Sequence, residues 1–127
     1  MAKLVNKFQQ HEEDFIVDAK RMGALAAERK ALDICGYDVR GLTLVADALV
    51  VCSVSSEPHL KAVMNAVVDG MKAVGRRPLH VEGNARSGWV VLDYGAVVFH
   101  AFRVEAREFY DLDGLWADAS KLELDVD

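Results

Sequence analysis

Apolar residues recur along this chain with two different periods. Between Glu12 and about Lys30, Phe15, Ala19, Met22 and Ala26 fall three or four apart, the stripe of an amphipathic helix. ALDICGYDVRG (31–41) then reads as a strand leading to a turn. ADALVVCSV (46–54) is a nearly continuous apolar run, the pattern of a strand covered on both faces. The three-and-four spacing returns from about Pro58 to Val74. There Leu60, Val63 or Met64, Val67, Met71 and Val74 make the core stripe, while Lys61, Asn65, Asp69 and Lys72 face away. Pro58 suits a first helical turn, where a missing N–H has no helical partner to lose. A serine or Glu57 just before it can cap the helix, and Gly75 offers a left-handed stop. PLHVEG (78–83) predicts a third strand, and the order strand–helix–strand implies a right-handed crossover with parallel pairing. A hairpin follows, with strands near 88–93 and 96–102. RVEAREFY (103–110) predicts a short helix and DLDGLWADA (111–119) a further turn or helix. The sum is an α/β domain: a mixed five-stranded sheet with flanking helices.

The hairpin carries a tryptophan, an aspartate, a tyrosine and a histidine among its apolar residues. With Tyr94-Gly95 as a two-residue turn, Asp93 pairs with Ala96, Val91 with Val98 and Trp89 with His100. Trp89, Asp93, His100 and Phe102 then share one face, and Val90, Leu92 and Phe99 share the other. The second face is uniformly apolar and reads as core. The first mixes ring, acid and imidazole, which suits a docking surface better than plain core. Tyr94, at the turn, is expected to project its ring outward.

A chain of 127 residues fits a single domain over 1–127, with a core of about 12–119 and an acidic tail at 120–127. At 52% hydrophobic residues it is too apolar for a disordered chain. No apolar run approaches the ~18 to 20 residues of a membrane span. MAKLVNKFQQHEEDF lacks the apolar core of a signal peptide, so a cytoplasmic protein is expected. Cys35 and Cys52 lie in separate apolar runs, which predicts buried thiols and no disulfide or metal site. The net charge of −5 is local: residues 104–127 hold eight acids against Arg107 and Lys121. Such a segment repels phosphate backbones and attracts basic partners, or forms a solvated face. Arg76, Arg77 and Arg86 cluster near the third strand, but sequence-specific nucleic-acid binding is not expected of this acidic chain.

Candidate chemistry is sparse. Ser53, Ser55 and Ser56 precede a helix beside His59, but without a GxSxG elbow they read as caps and turn residues. His80 and Glu82 alternate on the third strand. Together with Asp93 and magnesium they would make a small nucleotidyltransferase-like enzyme, the alternative reading. A two-metal site asks for more clustered carboxylates, and no phosphate-binding or dinucleotide glycine pattern occurs. No cofactor is expected. Trp89, Tyr94, Arg107, Tyr110 and Trp116 crowd into the last third of the chain and are residue types that anchor interfaces.

Several of these pieces, in order, resemble the Iojap family, the ribosomal silencing factors. ALDICGYDVRG is similar to the family's first strand, with Asp33 and Asp38 at its acidic positions. ADALVVCS resembles its Ala-Asp-Tyr-Phe-Val strand. SSEPHLKAV stands where the family has Gly-Thr-Ser and then Arg-His; His59 matches, while the glycine and arginine are replaced. RRPLHVEG, GWVVLDYG, VVFHAF and REFYDLDGLWADA match closely, and the Tyr-x-Leu-x-x-Leu-Trp ending is specific. The resemblance spans about 12–119. It implies a nucleotidyltransferase-like α/β fold without established transferase chemistry. It also implies binding to the large ribosomal subunit through a basic ribosomal protein on the subunit-joining face. The small subunit is then kept from joining, and translation is damped when nutrients are scarce. A homodimer is implied for the free protein. Trp89, Asp93, Tyr94, His100, Arg107 and Tyr110 are the expected partner contacts, and no catalytic, cofactor or metal residue is assigned. The departures at Val54–Pro58 leave that loop without a role carried over from the family.

Overall fold

The structure, a computed structural model, describes residues 2–126, with side chains from residue 14 onward. The elements in chain order are α1 (Ala2–Glu28), β1 (Leu32–Asp38), β2 (Ala48–Val54), α2 (Glu57–Lys72), β3 (His80–Asn84), β4 (Trp89–Asp93), β5 (Val97–Arg103), α3 (Val104–Tyr110), α4 (Leu112–Leu115) and β6 (Ser120–Leu122). The strands form one mixed sheet ordered β3-β4-β5-β2-β1-β6. Central β2 and β5 run parallel, and the other neighbouring pairs are antiparallel.

The helix stripes fold as predicted. Phe15, Ala19, Met22 and Ala26 of α1 and Leu60, Val63, Val67 and Met71 of α2 bury against Val50, Cys52, Val54, Val90, Leu92, Phe99 and Ala101 of the sheet. Val74, placed in the same stripe by its spacing, lies beyond the end of α2 and is 42% exposed. Ser56 is the cap: its Oγ accepts the His59 N–H at 3.2 Å. His59 then ties the two helices together. Its Nε2 donates to the Arg29 carbonyl at 2.7 Å, and its Nδ1 accepts the Ser55 backbone N–H at 3.0 Å. Cys52 is fully buried, and burial pushes its thiol up to about 12. No helix among the described residues is long and apolar enough to cross a membrane.

Two features differ from expectation. The strand after α2 was expected beside β2 as its parallel partner. It lies instead at the far edge, with β4 and β5 between. Two antiparallel connections, β3–β4 and β4–β5, fold the chain back toward the centre, so β5 takes the place beside β2. Strand–helix–strand order signals a parallel crossover but does not say which later strand completes it. The sheet also has a sixth strand. Residues 120–127, expected as an acidic tail, contribute β6, which pairs Lys121 with Tyr37 and Leu122 with Gly36. They also contribute Leu124, buried in the core. Leu122, Leu124 and Val126 alternate with charged residues, a strand period masked by the excess of acids.

The second face of the sheet is only partly covered. Tyr37, Leu49, Val51, Val98 and Phe102 form a smaller cluster there, joined by Ala106 of α3, Leu112 of α4 and Trp116. Toward β3 the cover ends, and all five β3 residues are exposed. This half-open face holds the site.

Candidate functional site

The β4–β5 register sets the site. Trp89 lies opposite Phe102, Val91 opposite His100 and Asp93 opposite Val98. The Tyr94 N–H donates to the Val97 carbonyl at 2.9 Å, so Gly95-Ala96 is the turn, one residue later than predicted. Gly95 takes φ +86° at the first turn position, a conformation open to glycine, and Asp93 Oδ1 accepts its N–H at 2.7 Å. Moving the turn by one residue moves the pairing by two. Two is the period of the pleat, so the predicted faces survive. Trp89, Asp93, His100 and Phe102 share the half-open face, while Val90, Leu92 and Phe99 lie under the helices. Tyr94 is corrected. Its ring turns inward against the helix-side core, its buried hydroxyl has no hydrogen-bond partner among the described residues, and burial raises its pKa to about 12.

Four rings meet on the open side. Trp89 stacks on Phe102 at 4.8 Å, meets Tyr110 of α3 at 4.6 Å and lies 6.0 Å from His100. Its Nε1–H donates to His100 Nδ1 at 3.1 Å. That bond requires a neutral imidazole with its proton on Nε2. Burial enforces the same state, since desolvation lowers the His100 pKa from 6.5 to about 4. The unfolded chain therefore binds a proton between pH 6.5 and 4 that the folded protein refuses. Stability is expected to be full above that window and to fall as pH drops through it, by roughly 3 kcal/mol at most. His100→Asn, which keeps an acceptor near Nδ1, removes this titration. Urea unfolding of both proteins at pH 7 and pH 4.5 measures it. A parent that loses no more stability than His100→Asn would refute the assignment.

Beside the rings lies a polar clasp. Arg107 of α3 points into the sheet and has partners for all five N–H donors. Nε and Nη2 donate to Asp113 Oδ2 and Oδ1 at 2.9 and 3.0 Å. Nη1 donates to the Asp33 carbonyl at 2.7 Å and to Ser53 Oγ at 3.0 Å, and Nη2 lies 3.3 Å from Cys35 Sγ. Asp33 sits at an irregularity in β1 with φ +48°, a local break in the β1–β2 ladder beside the guanidinium. Tyr37 Oη–H donates to Asp113 Oδ1 at 2.6 Å. Hydrogen bonds from Arg107 hold the Asp113 carboxyl down at about 2, and burial with the bond to Asp113 pushes the Tyr37 phenol up. Arg107, expected as a partner contact, is thus an internal side chain, 14% exposed.

The clasp decides what α3 and α4 show to solvent. With Ala106 and Arg107 facing the sheet, Phe109 and Leu115 stand outward at 81% and 71% exposure, beside half-exposed Tyr110. Sequence reasoning missed Phe109 and Leu115. Phe109 follows Arg107 by two residues, about 200° around the helix, so an inward Arg107 turns it outward. His80 and Asp93 lie opposite each other across β3–β4, and His80 Nε2 donates to Glu82 Oε1 at 2.8 Å. Asp93 is turned to Gly95 instead, and no three His, Cys, Asp or Glu side chains among the described residues form a metal-holding group.

Fold and site together define a small α/β domain with one face sealed by helices and the other set with aromatic rings. A family described as "Ribosomal silencing factor during starvation" matches residues 12–127, and the chain belongs to that family of regulators. The ribosomal silencing factor of Bacillus subtilis is 33% identical over 106 residues, 84% of this chain and 90% of that protein. A mouse protein named for mitochondrial assembly of the ribosomal large subunit is 30% identical over 102 residues, 78% of this chain and 45% of its own. A crystal structure from Chromobacterium violaceum superposes with a TM-score of 0.79 at 27% identity, covering 90% of this chain and 94% of that one.

Proposed function

We propose that this protein binds the large ribosomal subunit on its subunit-joining face, through a basic ribosomal protein, and keeps the small subunit from docking. Translation is thereby repressed when nutrients are limiting. The observation that carries this reading is the aromatic face of β4, β5 and α3 in a chain of this family. Trp89, Tyr110, Phe109 and Leu115 are apolar anchors of the kind that concentrate binding energy at an interface. Glu82, Asp93 and the acids of 104–127 supply charge complementary to a basic partner. The name of the mouse relative supports the choice of the large subunit. The mechanism is steric: no bond is made or broken, and a folded domain occupies a surface that a second body needs. A cytoplasmic protein, homodimeric when free, fits this role.

The test is co-sedimentation with separated ribosomal subunits. The protein is expected to pellet with the large subunit and not with the small one. The bound fraction should fall as salt rises, because added ions screen attraction between acids and a basic partner. Equal pelleting with both subunits, or with neither, sinks the proposal.

A further inference from the structure

A cleft of about 220 Å³ opens between β3 and α3, beside the ring cluster. Trp89, Tyr110, Val91 and Glu82 line it. Gly83 and Ser87 complete its lining. Gly83, with φ +75°, has no Cβ, and one placed there would run into the Trp89 carbonyl, so the backbone here admits only glycine. Ser87 is fixed by a reciprocal pair of bonds with Asn84, and its Oγ lies 2.7 Å from the Asn84 carbonyl oxygen and 3.0 Å from that of Trp89. The cleft therefore exists without a ligand to shape it. It is smaller than the ~300 Å³ at which small-molecule sites begin, and it suits a single side chain.

Its chemistry selects the side chain. The ionised group on its lining is the Glu82 carboxylate, which repels anions. Oε1 of Glu82 accepts from His80, and the carboxylate keeps acceptor capacity on its other oxygen. Two aromatic rings with a carboxylate at their rim favour a flat cation. A guanidinium is planar, weakly hydrated, stacks on ring faces and pairs with carboxylates through parallel N–H bonds, whereas an ammonium is a strongly hydrated point charge. We propose that this cleft receives an arginine side chain of a basic protein partner, stacked against Trp89 and Tyr110 and hydrogen-bonded to Glu82. The assignment of a partner rests on the docking reading above; the affinity of the cleft for a guanidinium does not.

The experiment titrates the whole chain, ¹⁵N-labelled, with Nα-acetyl-arginine amide, and in parallel with the lysine and glutamine analogues. The readout is the Trp89 indole N–H resonance, distinguished from that of Trp116 by Trp116→Phe. A saturable shift is expected with arginine, a weaker one with lysine and none with glutamine. Glu82→Gln should weaken arginine binding about two- to fivefold, the worth of an exposed ion pair. Tyr110→Ala should weaken it by a similar two- to fivefold through loss of a ring. Both residues are exposed, so spectral dispersion should confirm intact folds. No saturable shift, an equal response to glutamine, or unchanged binding in both variants overturns the proposal. If arginine saturates the cleft but the protein pellets with neither subunit, the docking reading falls and the guanidinium site stands. Pelleting with the large subunit without any arginine response gives the reverse.

Discussion

Arg107→Ala is expected to destabilise the fold by about 2 to 4 kcal/mol, at or just below the range for breaking a buried ion pair, because Asp113 keeps about a third of its side chain exposed. The loss goes beyond one salt bridge. Asp113 loses two N–H bonds from the guanidinium, and the Asp33 carbonyl and Ser53 hydroxyl lose a donor each. Arg107→Lys should recover less than half, since one ammonium cannot reach this spread of acceptors. The Asp113 part of the effect has its own pH signature. Its carboxyl is held at about 2 against 3.8 unperturbed, so its contribution is complete above pH 3.8 and is lost as pH falls toward 2. Urea unfolding of Arg107→Ala, Asp113→Asn and the double variant measures both the total and the coupling. A stability for Arg107→Ala within ~0.5 kcal/mol of the parent would show that α3 is held by apolar packing alone.

Trp89→Ala should act twice. In the free domain it removes the ring covering Phe102 and leaves His100 Nδ1 without its donor, an expected loss of about 3 kcal/mol. On the large subunit it should weaken binding by more than ~2 kcal/mol, as for an interface anchor. Trp89→Phe separates the two. It keeps a stacking ring and loses the N–H, so about 1 kcal/mol of stability should go. Should Trp89→Ala fail to fold, Phe109→Ala and Tyr110→Ala probe the same face from residues that are largely exposed. Subunit binding is measured beside an unfolding curve for each variant. Parent-like binding by Trp89→Phe, Phe109→Ala and Tyr110→Ala together would remove this face from the interface.

What could be read from the sequence divides along physical lines. Local periodicity is written in the chain, so the α1 and α2 stripes, the β2 run and the hairpin faces were legible. The hairpin faces survived a misplaced turn because the error in pairing was an even number of residues. Long-range placement is not written locally. Nothing in HVEGN announces an edge strand, since its neighbours are chosen by how β4 and β5 fold back. The acidic composition of 120–127 concealed an alternation that builds β6. Arg107 and Tyr94 show the hardest case: each belongs to a residue type found at interfaces, yet here one is turned into a network and the other into the core. Their direction depends on what stands opposite in the folded sheet. For Arg107 those are Asp33, Cys35 and Ser53, drawn from distant parts of the chain, together with nearby Asp113.

The central parallel pair also governs when this protein can form. β2 pairs along its whole length with β5, joining residues 48–54 to 97–103. On a growing chain, β2 therefore has one edge unpaired until Arg103 has been made and has cleared the synthesising machinery. Contacts so distant in sequence form late, after the entropy of closing a long loop has been met. Until then ALVVCSV is an uncharged, β-branched-rich segment without its partner, the kind of stretch that pairs with copies of itself. α1 and α2 precede β5 in the chain and cover one face of that strand in the folded protein, so their packing is expected to shield it during this interval. Substitutions that loosen the two helices should therefore lower soluble yield more than their effect on the finished protein's stability would suggest.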